Sequence, residues 1–223
     1  QAEDGVRDLI VNGVQTCALP ISFRGVDSDG AHYVENPIYN EIRFSPFKLE
    51  KEADLRVIVQ KLREYQPVYL HGYPSAINQL AKYLLENREE LSSLKGIILI
   101  SENIFPYQVK LFRQIFNCNL YSFYGLTERN IFATMEGELG NYATAPAYGI
   151  SELLGEDGLP ITTPGVRGEI IGTGFINYAM PLLRYKTADF GYLSETHNVR
   201  NHRLKLAKIQ GRWNQEFLVG RSG

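Results

Sequence analysis

The chain has 223 residues and a formal net charge of −2, with apolar and charged fractions of 44% and 22% that are ordinary for a globular protein. So balanced a charge excludes a strong field for recruiting nucleic acid or anionic lipid, and no apolar run approaches the ~18 residues of a membrane span. Two cysteines, Cys17 and Cys118, are too few for a disulfide framework or a Cys-rich metal site, which makes a reducing cytoplasm the default compartment.

The first segment, QAEDGVRDLIVNGVQTCALPIS (1–22), has neither a helical nor a strand period. Its acidic residues Glu3, Asp4 and Asp8 surround Arg7 where a secretory leader would be basic. Back-translated, it resembles an indexed DNA-sequencing adapter. It departs from that adapter at Val6 and Asn12, with Leu9 and Ile10 where the index would fall. Residues 1–21 are therefore expected to be adapter-derived, a natural N-terminal arm being the alternative, and the protein proper is expected to begin near Ser22 or Phe23. On that reading Cys17 is not a candidate nucleophile, and the chain is an interior piece of a longer protein.

Residues 23–49 carry breakers (Asp27, Asp29, Gly30, Pro37, Pro46) and no clear period. In EADLRVIVQKLREY (52–65), Leu55, Ile58, Val59 and Leu62 recur at the spacing of an amphipathic helix. PVYLHGYPS (67–75) reads as a short buried strand entering a helix whose first turn accepts Pro74. GIILIS (96–101) is an apolar run typical of a parallel strand covered on both faces. PYQVKLFRQIF (106–116) predicts another Pro-led helix, and NLYSFYG (119–125) a strand ending in a glycine turn. This alternation predicts an α/β layer with a parallel sheet over residues 22–129. Beyond it, NIFATME, YGISELL and GEIIGTG are short strands divided by turns, GEDGLP (155–160) being of hairpin type. Residues 130–210 are accordingly expected to form a mostly antiparallel, barrel-like subdomain.

Three stretches could carry chemistry. YSFYGLTE puts Tyr124, Gly125, Thr127 and Glu128 at the carboxyl end of a parallel strand, the rim where ligands sit in open α/β sheets. An aromatic face, a hydroxyl and a carboxylate so close together could stack a purine, bond a phosphate and hold Mg²⁺. A strand-end turn with a solvated glutamate fits the same residues. In PLLRYKTADFGYL, Asp189 could accept from two ribose hydroxyls; a surface hairpin with salt bridges is the plainer reading. In IQGRWNQEFLVGR, Gly211 and Arg212 make a cationic corner before Trp213, or simply a turn that packs the tryptophan.

Taken together and in order, these stretches resemble the adenylate-forming superfamily of acyl-CoA synthetases and their relatives. YGLTE is similar to its Tyr-Gly-x-Thr-Glu motif. RYKTAD is similar to its (Arg)-Tyr-x-Thr-Gly-Asp motif, with Ala188 where glycine is usual. GRWNQEFLVG is similar to the segment leading to its interdomain hinge, with Asn214 where Asp is frequent. YLHGYPSAINQLAKYL and ISENIFPYQVKLFRQIF resemble the phenylacetate–CoA ligase branch, which includes relatives associated with capsular polysaccharide synthesis.

The resemblance implies part of a large N-terminal AMP-binding domain, with residues 211–223 beginning the hinge and the phosphate loop and small C-terminal domain lying outside this sequence. It implies that Tyr124 stacks on adenine, Thr127 bonds the α-phosphate and Glu128 binds Mg²⁺. Asp189 would hold the ribose hydroxyls, and Arg212 would approach the ribose and phosphate. Ser101, Glu102 and Gly125 would wall the nucleotide site. His71 and Tyr73 would lie near the acyl pocket, although a satisfied core histidine fits His71 equally. The implied reaction joins a small-molecule carboxylic acid, with an aryl acid as one candidate, to CoA through an adenylate formed from ATP, and residues 1–223 alone are expected to be inactive. A relative that serves surface polysaccharide synthesis through another acceptor is one alternative, and a non-catalytic nucleotide-binding module another.

Overall fold

The computed structural model describes residues 20–23, 31–36, 41–137, 140–195 and 203–211. Of the segment 1–21, only Pro20 and Ile21 fall among them. The chain divides into two compact units, with the boundary after Ser122.

The first unit is α/β. Strands β1 (Pro20–Phe23), β2 (Tyr33–Asn36) and β3 (Glu41–Phe44) lead to a 3₁₀ turn (Pro46–Glu50) and helix α1 (Glu52–Tyr65). Then come β4 (Tyr69–Gly72), α2 (Pro74–Asn87), β5 (Gly96–Leu99), α3 (Pro106–Phe116) and β6 (Asn119–Gly125). The strands lie in the order β2-β3-β1-β4-β5-β6. All neighbours are parallel except the edge pair β2–β3. The core is built where the apolar periods meet the sheet. Leu55, Ile58, Val59 and Leu62 of α1 and Ile77, Leu80, Ala81 and Leu84 of α2 pack with Ile21, Phe23, Leu70, Ile97 and Leu99.

Both proline-led helices are as the sequence predicts, with Pro74 and Pro106 in the first turn, where a missing N–H is harmless. Gln108 reinforces the start of α3, its Oε1 accepting the Phe105 N–H at 2.9 Å. Each helix stops at a residue in left-handed conformation, Gln66, Arg88 or Asn117. Strands β1–β3 are the main departure from the sequence reading. Each is only four residues long, too short to establish a period among the breakers that flank it.

The second unit is antiparallel. The end of β6 pairs with β7 (Phe132–Met135), and β8 (Tyr142–Thr144), β9 (Gly149–Leu154), β10 (Arg167–Gly174), β11 (Tyr185–Leu193) and β12 (Lys205–Gln210) follow. Their order is β6-β7-β8-β12-β11-β10-β9. Its core gathers Ile131, Leu153, Ile170, Leu193, Leu204 and Leu206. The Asp-Gly turn forms as expected: Gly158 takes φ +75°, and the Leu159 N–H is held by the Asp157 carboxylate at 3.0 Å. Tyr124 of β6 meets Asp189 of β11, four strands away in the order, so the sheet of this unit curls on itself. Among the described residues no helix is long and apolar enough to cross a membrane.

Candidate adenylate site

In the second unit lie Tyr124, Gly125, Thr127, Glu128 and Asp189 of the sequence-predicted residues. Tyr124 lies at the carboxyl end of β6, and its phenol donates to Asp189 Oδ2 at 2.7 Å. Asp189 is 7% exposed, and an ionised carboxylate offers several acceptor positions, of which this bond uses one. What aims Asp189 is an irregularity in β11. Glu169 pairs with Phe190 and Ile171 with Lys186, so Thr187, Ala188 and Asp189 together face the single residue Ile170. Ala188 takes φ +60° at this bulge. The Thr187 hydroxyl, donating to the Ile170 carbonyl at 2.8 Å, accepts the Asp189 N–H at 3.0 Å. Such bulges re-aim side chains beside functional sites.

Past Gly125 the backbone turns, with the Arg129 N–H donating to the Leu126 carbonyl at 3.0 Å. This turn exposes Thr127 and leaves Glu128 half-buried. Tyr185 donates its phenol to Glu128 Oε1 at 2.9 Å, and the Asn177 amide donates to the Glu128 carbonyl at 3.2 Å. Neither was singled out from the sequence. Tyr185 stands inside the RYKTAD motif, which was a usable signal; Asn177 lies in an irregular loop and gave none. Arg184 makes a two-point ion pair with Glu152 through Nε and Nη2 at 3.1 and 3.2 Å, on the surface, as the hairpin reading of this stretch has it.

In the first unit, His71 is a buried residue of β4, and Tyr73 follows at the entry to α2. Ser101, just beyond β5, has φ +64°. Glu102 accepts both the Ser75 N–H at 2.9 Å and the Ser75 hydroxyl at 2.8 Å, which places its carboxylate on the amino end of α2. His71, Tyr73, Ser101 and Glu102 thus gather where the neighbouring parallel strands β4 and β5 end, the ligand rim of such a sheet. Arg212 lies outside the described residues. Cys118 is partly buried, and desolvation pushes its thiol up to about 11, which removes it as a nucleophile at neutral pH.

Among the described residues no group of three or more His, Cys, Asp or Glu side chains is placed to hold a metal ion. The single half-buried carboxylate of Glu128 still suits Mg²⁺, which is commonly held by one or two carboxylates together with substrate phosphates and water.

Tyr124, Glu128 and Asp189, which belong to the motifs that point to a nucleotide-binding class, lie in the one antiparallel unit. The chain belongs to the AMP-binding enzyme family, whose model it matches over residues 37–176. It is 29% identical over 191 residues to Protein CapK of Staphylococcus aureus, an alignment that takes in 83% of this chain and 40% of CapK. Its fold is similar to that of 2-hydroxyisobutyryl-CoA ligase in an open conformation with 2-HIB-AMP and CoA. That match has a TM-score of 0.68 and 16% identity and covers 98% of this chain and 53% of the ligase. The fold is also similar to a long-chain-fatty-acid-CoA ligase, FadD1 of Archaeoglobus fulgidus, with a TM-score of 0.57, 14% identity and coverage of 95% and 47%. The chain therefore spans about two fifths of CapK and about half of these two ligases.

Proposed function

We propose that the complete protein is an AMP-forming acid–thiol ligase, which adenylates a carboxylic acid with ATP and transfers the acyl group to CoA. The observation that carries the reading is the convergence in one unit of two tyrosine–carboxylate bonds, Tyr124 to Asp189 and Tyr185 to Glu128. They hold the carboxylates of the two motifs in fixed positions. Membership of the AMP-binding family and the acyl-CoA ligase folds support it.

The chemistry brings two anions together, the substrate carboxylate and the α-phosphate, so the site must offset their repulsion. In this proposal Tyr124 offers its ring to the adenine, and Asp189 accepts from the ribose hydroxyls. Thr127, exposed on its turn, donates to the α-phosphate. Glu128 carries Mg²⁺ with the substrate phosphates; the ion, when bound, neutralises charge on the phosphoryl oxygens. Tyr185 keeps the Glu128 carboxylate oriented. Ser101 and Gly125 belong to the nucleotide wall, as does Glu102 through its hold on α2. Tyr73 and His71 belong to the acyl side, and Arg212 approaches ribose and phosphate. The acid is proposed to be a small or aryl acid, and the compartment the cytoplasm.

The resemblance of YLHGYPSAINQLAKYL and ISENIFPYQVKLFRQIF to the branch associated with capsular polysaccharide synthesis supports a second reading of the last step, in which the acyl group passes to another acceptor in surface-polysaccharide assembly. Acid-dependent exchange of pyrophosphate into ATP tests the half-reaction common to both readings. Exchange with at least one carboxylic acid is expected, and its absence with every acid returns the chain to the non-catalytic alternative. Release of AMP with CoA as the only thiol then separates the two acceptors.

A further inference from the structure

Thr127 and Glu128 are the two central residues of the turn that the Arg129 N–H closes on the Leu126 carbonyl at 3.0 Å. Arg129 leaves this turn in left-handed conformation, φ +56°, which is costly for an L-residue and persists where the surroundings hold it. What holds it is the start of the loop between β10 and β11. A Cβ on Gly174 would lie 3.0 Å from the Arg129 carbonyl oxygen and 2.8 Å from the Asn130 Cα, so the end of β10 lies directly against the backbone leaving the turn. Three residues on, Asn177 Nδ2 donates to the Glu128 carbonyl at 3.2 Å, and Asn177 Oδ1 accepts the Met180 N–H at 3.3 Å. Both ends of the carboxamide are thus used. Turned over, it would set its oxygen against one acceptor and its amino group against one donor.

The peptide that joins Glu128 to Arg129 is therefore held through both of its polar atoms, its oxygen by Asn177 and its N–H by Leu126. A peptide is planar, so holding both atoms sets ψ of Glu128 and the direction in which its side chain leaves the turn. The loop that carries Asn177 is itself closed at its neck. The Gly174 N–H donates to the Leu182 carbonyl at 3.2 Å, and the Arg184 N–H to the Thr173 hydroxyl at 2.9 Å. At the far end of the loop stands Tyr185, the donor to the Glu128 carboxylate. We propose that Asn177 is a positioning residue: it locks the Glu128–Arg129 peptide, so that the Glu128 carboxylate is presented to the nucleotide in one direction. The consequence for nucleotide binding rests on the ligase reading; the lock does not.

Amide hydrogen exchange at Arg129 in the complete protein reads the lock directly. Asn177→Ala removes both bonds, whereas Asn177→Asp keeps an acceptor for the Met180 N–H and loses the donor to Glu128. In both variants the Arg129 amide is expected to exchange about threefold to tenfold faster, while exchange along β10 stays at the wild-type rate. Unchanged exchange at Arg129 overturns the lock. So does acceleration in Asn177→Ala alone, which would assign the effect to the Met180 contact, and so does acceleration that extends to β10. In the pyrophosphate assay, Asn177→Ala is expected to raise KM for MgATP about tenfold with a smaller change in kcat. An unchanged KM in an Asn177→Ala protein whose Arg129 amide exchanges faster overturns the positioning role. If the wild type incorporates pyrophosphate with no acid, the ligase reading fails and hydrogen exchange alone decides the lock.

Discussion

The Tyr124 phenol donates to the Asp189 carboxylate at 2.7 Å across 65 residues of sequence. It ties the end of β6 to the bulge of β11 and closes the curl of the second unit. A hydrogen bond to a buried carboxylate contributes about 1.5–3 kcal/mol. Tyr124→Phe is expected to lower stability by about that amount in urea unfolding. A double-mutant cycle with Asp189→Asn should give a coupling of about 1 kcal/mol or more. Additive losses would mean that the contact contributes nothing beyond its separate parts.

Ala188 occupies the left-handed region at φ +60°, at the motif position where glycine is usual. The left-handed conformation costs an L-residue about 1–2 kcal/mol, while glycine gives back about 0.5–1 kcal/mol in unfolded-state entropy. Ala188→Gly is therefore expected to stabilise the protein by about 0.5–1 kcal/mol, read as a higher urea midpoint at constant m-value. A lower midpoint would show that the alanine methyl makes packing worth more than the strain.

How far the sequence could be read depended on how each signal is encoded. The helices Glu52–Tyr65 and Pro106–Phe116 were legible to the residue, because an apolar period and a proline act within a few positions. Strands β1–β3 were not, since four-residue strands take their stability from neighbours that sequence does not display. Of the candidate site, Tyr124, Glu128 and Asp189 could be named from sequence because they are themselves the motif residues. The partners Tyr185 and Asn177 and the Ala188 bulge depend on register between distant strands, which local pattern does not encode. The bonds of Glu102 to Ser75, 27 residues away, likewise depend on the fold and not on local pattern.

Those bonds make a prediction of their own. Removing a carboxylate that holds the amino end of a helix costs about 0.5–2 kcal/mol. Glu102→Ala should destabilise by that amount in thermal unfolding, and Ser75→Ala by less, because the backbone N–H contact survives. An unchanged Tm in Glu102→Ala would show the contact to be energetically idle.

Cys118 gives a pH-dependent outcome. Desolvation pushes its thiol from 9.0 to about 11, so the folded state favours the neutral form. The associated stability is fully present below pH 9.0 and declines as pH rises toward about 11, because the unfolded chain loses its proton first. Native protein should react with iodoacetamide at pH 8 about a hundredfold more slowly than the unfolded chain, reflecting its smaller thiolate fraction and restricted access. Equal rates in the two states would contradict the placement of Cys118.

The most direct test of the central claim is pyrophosphate exchange by the complete enzyme as Mg²⁺ is titrated, comparing wild type with Glu128→Gln. On the role proposed for Glu128, the substitution should reduce exchange about a hundredfold or more and move the Mg²⁺ requirement upward, while Tm stays near wild type. Wild-type exchange and an unshifted Mg²⁺ dependence in a folded Glu128→Gln protein would contradict the assignment of this carboxylate to the adenylation site.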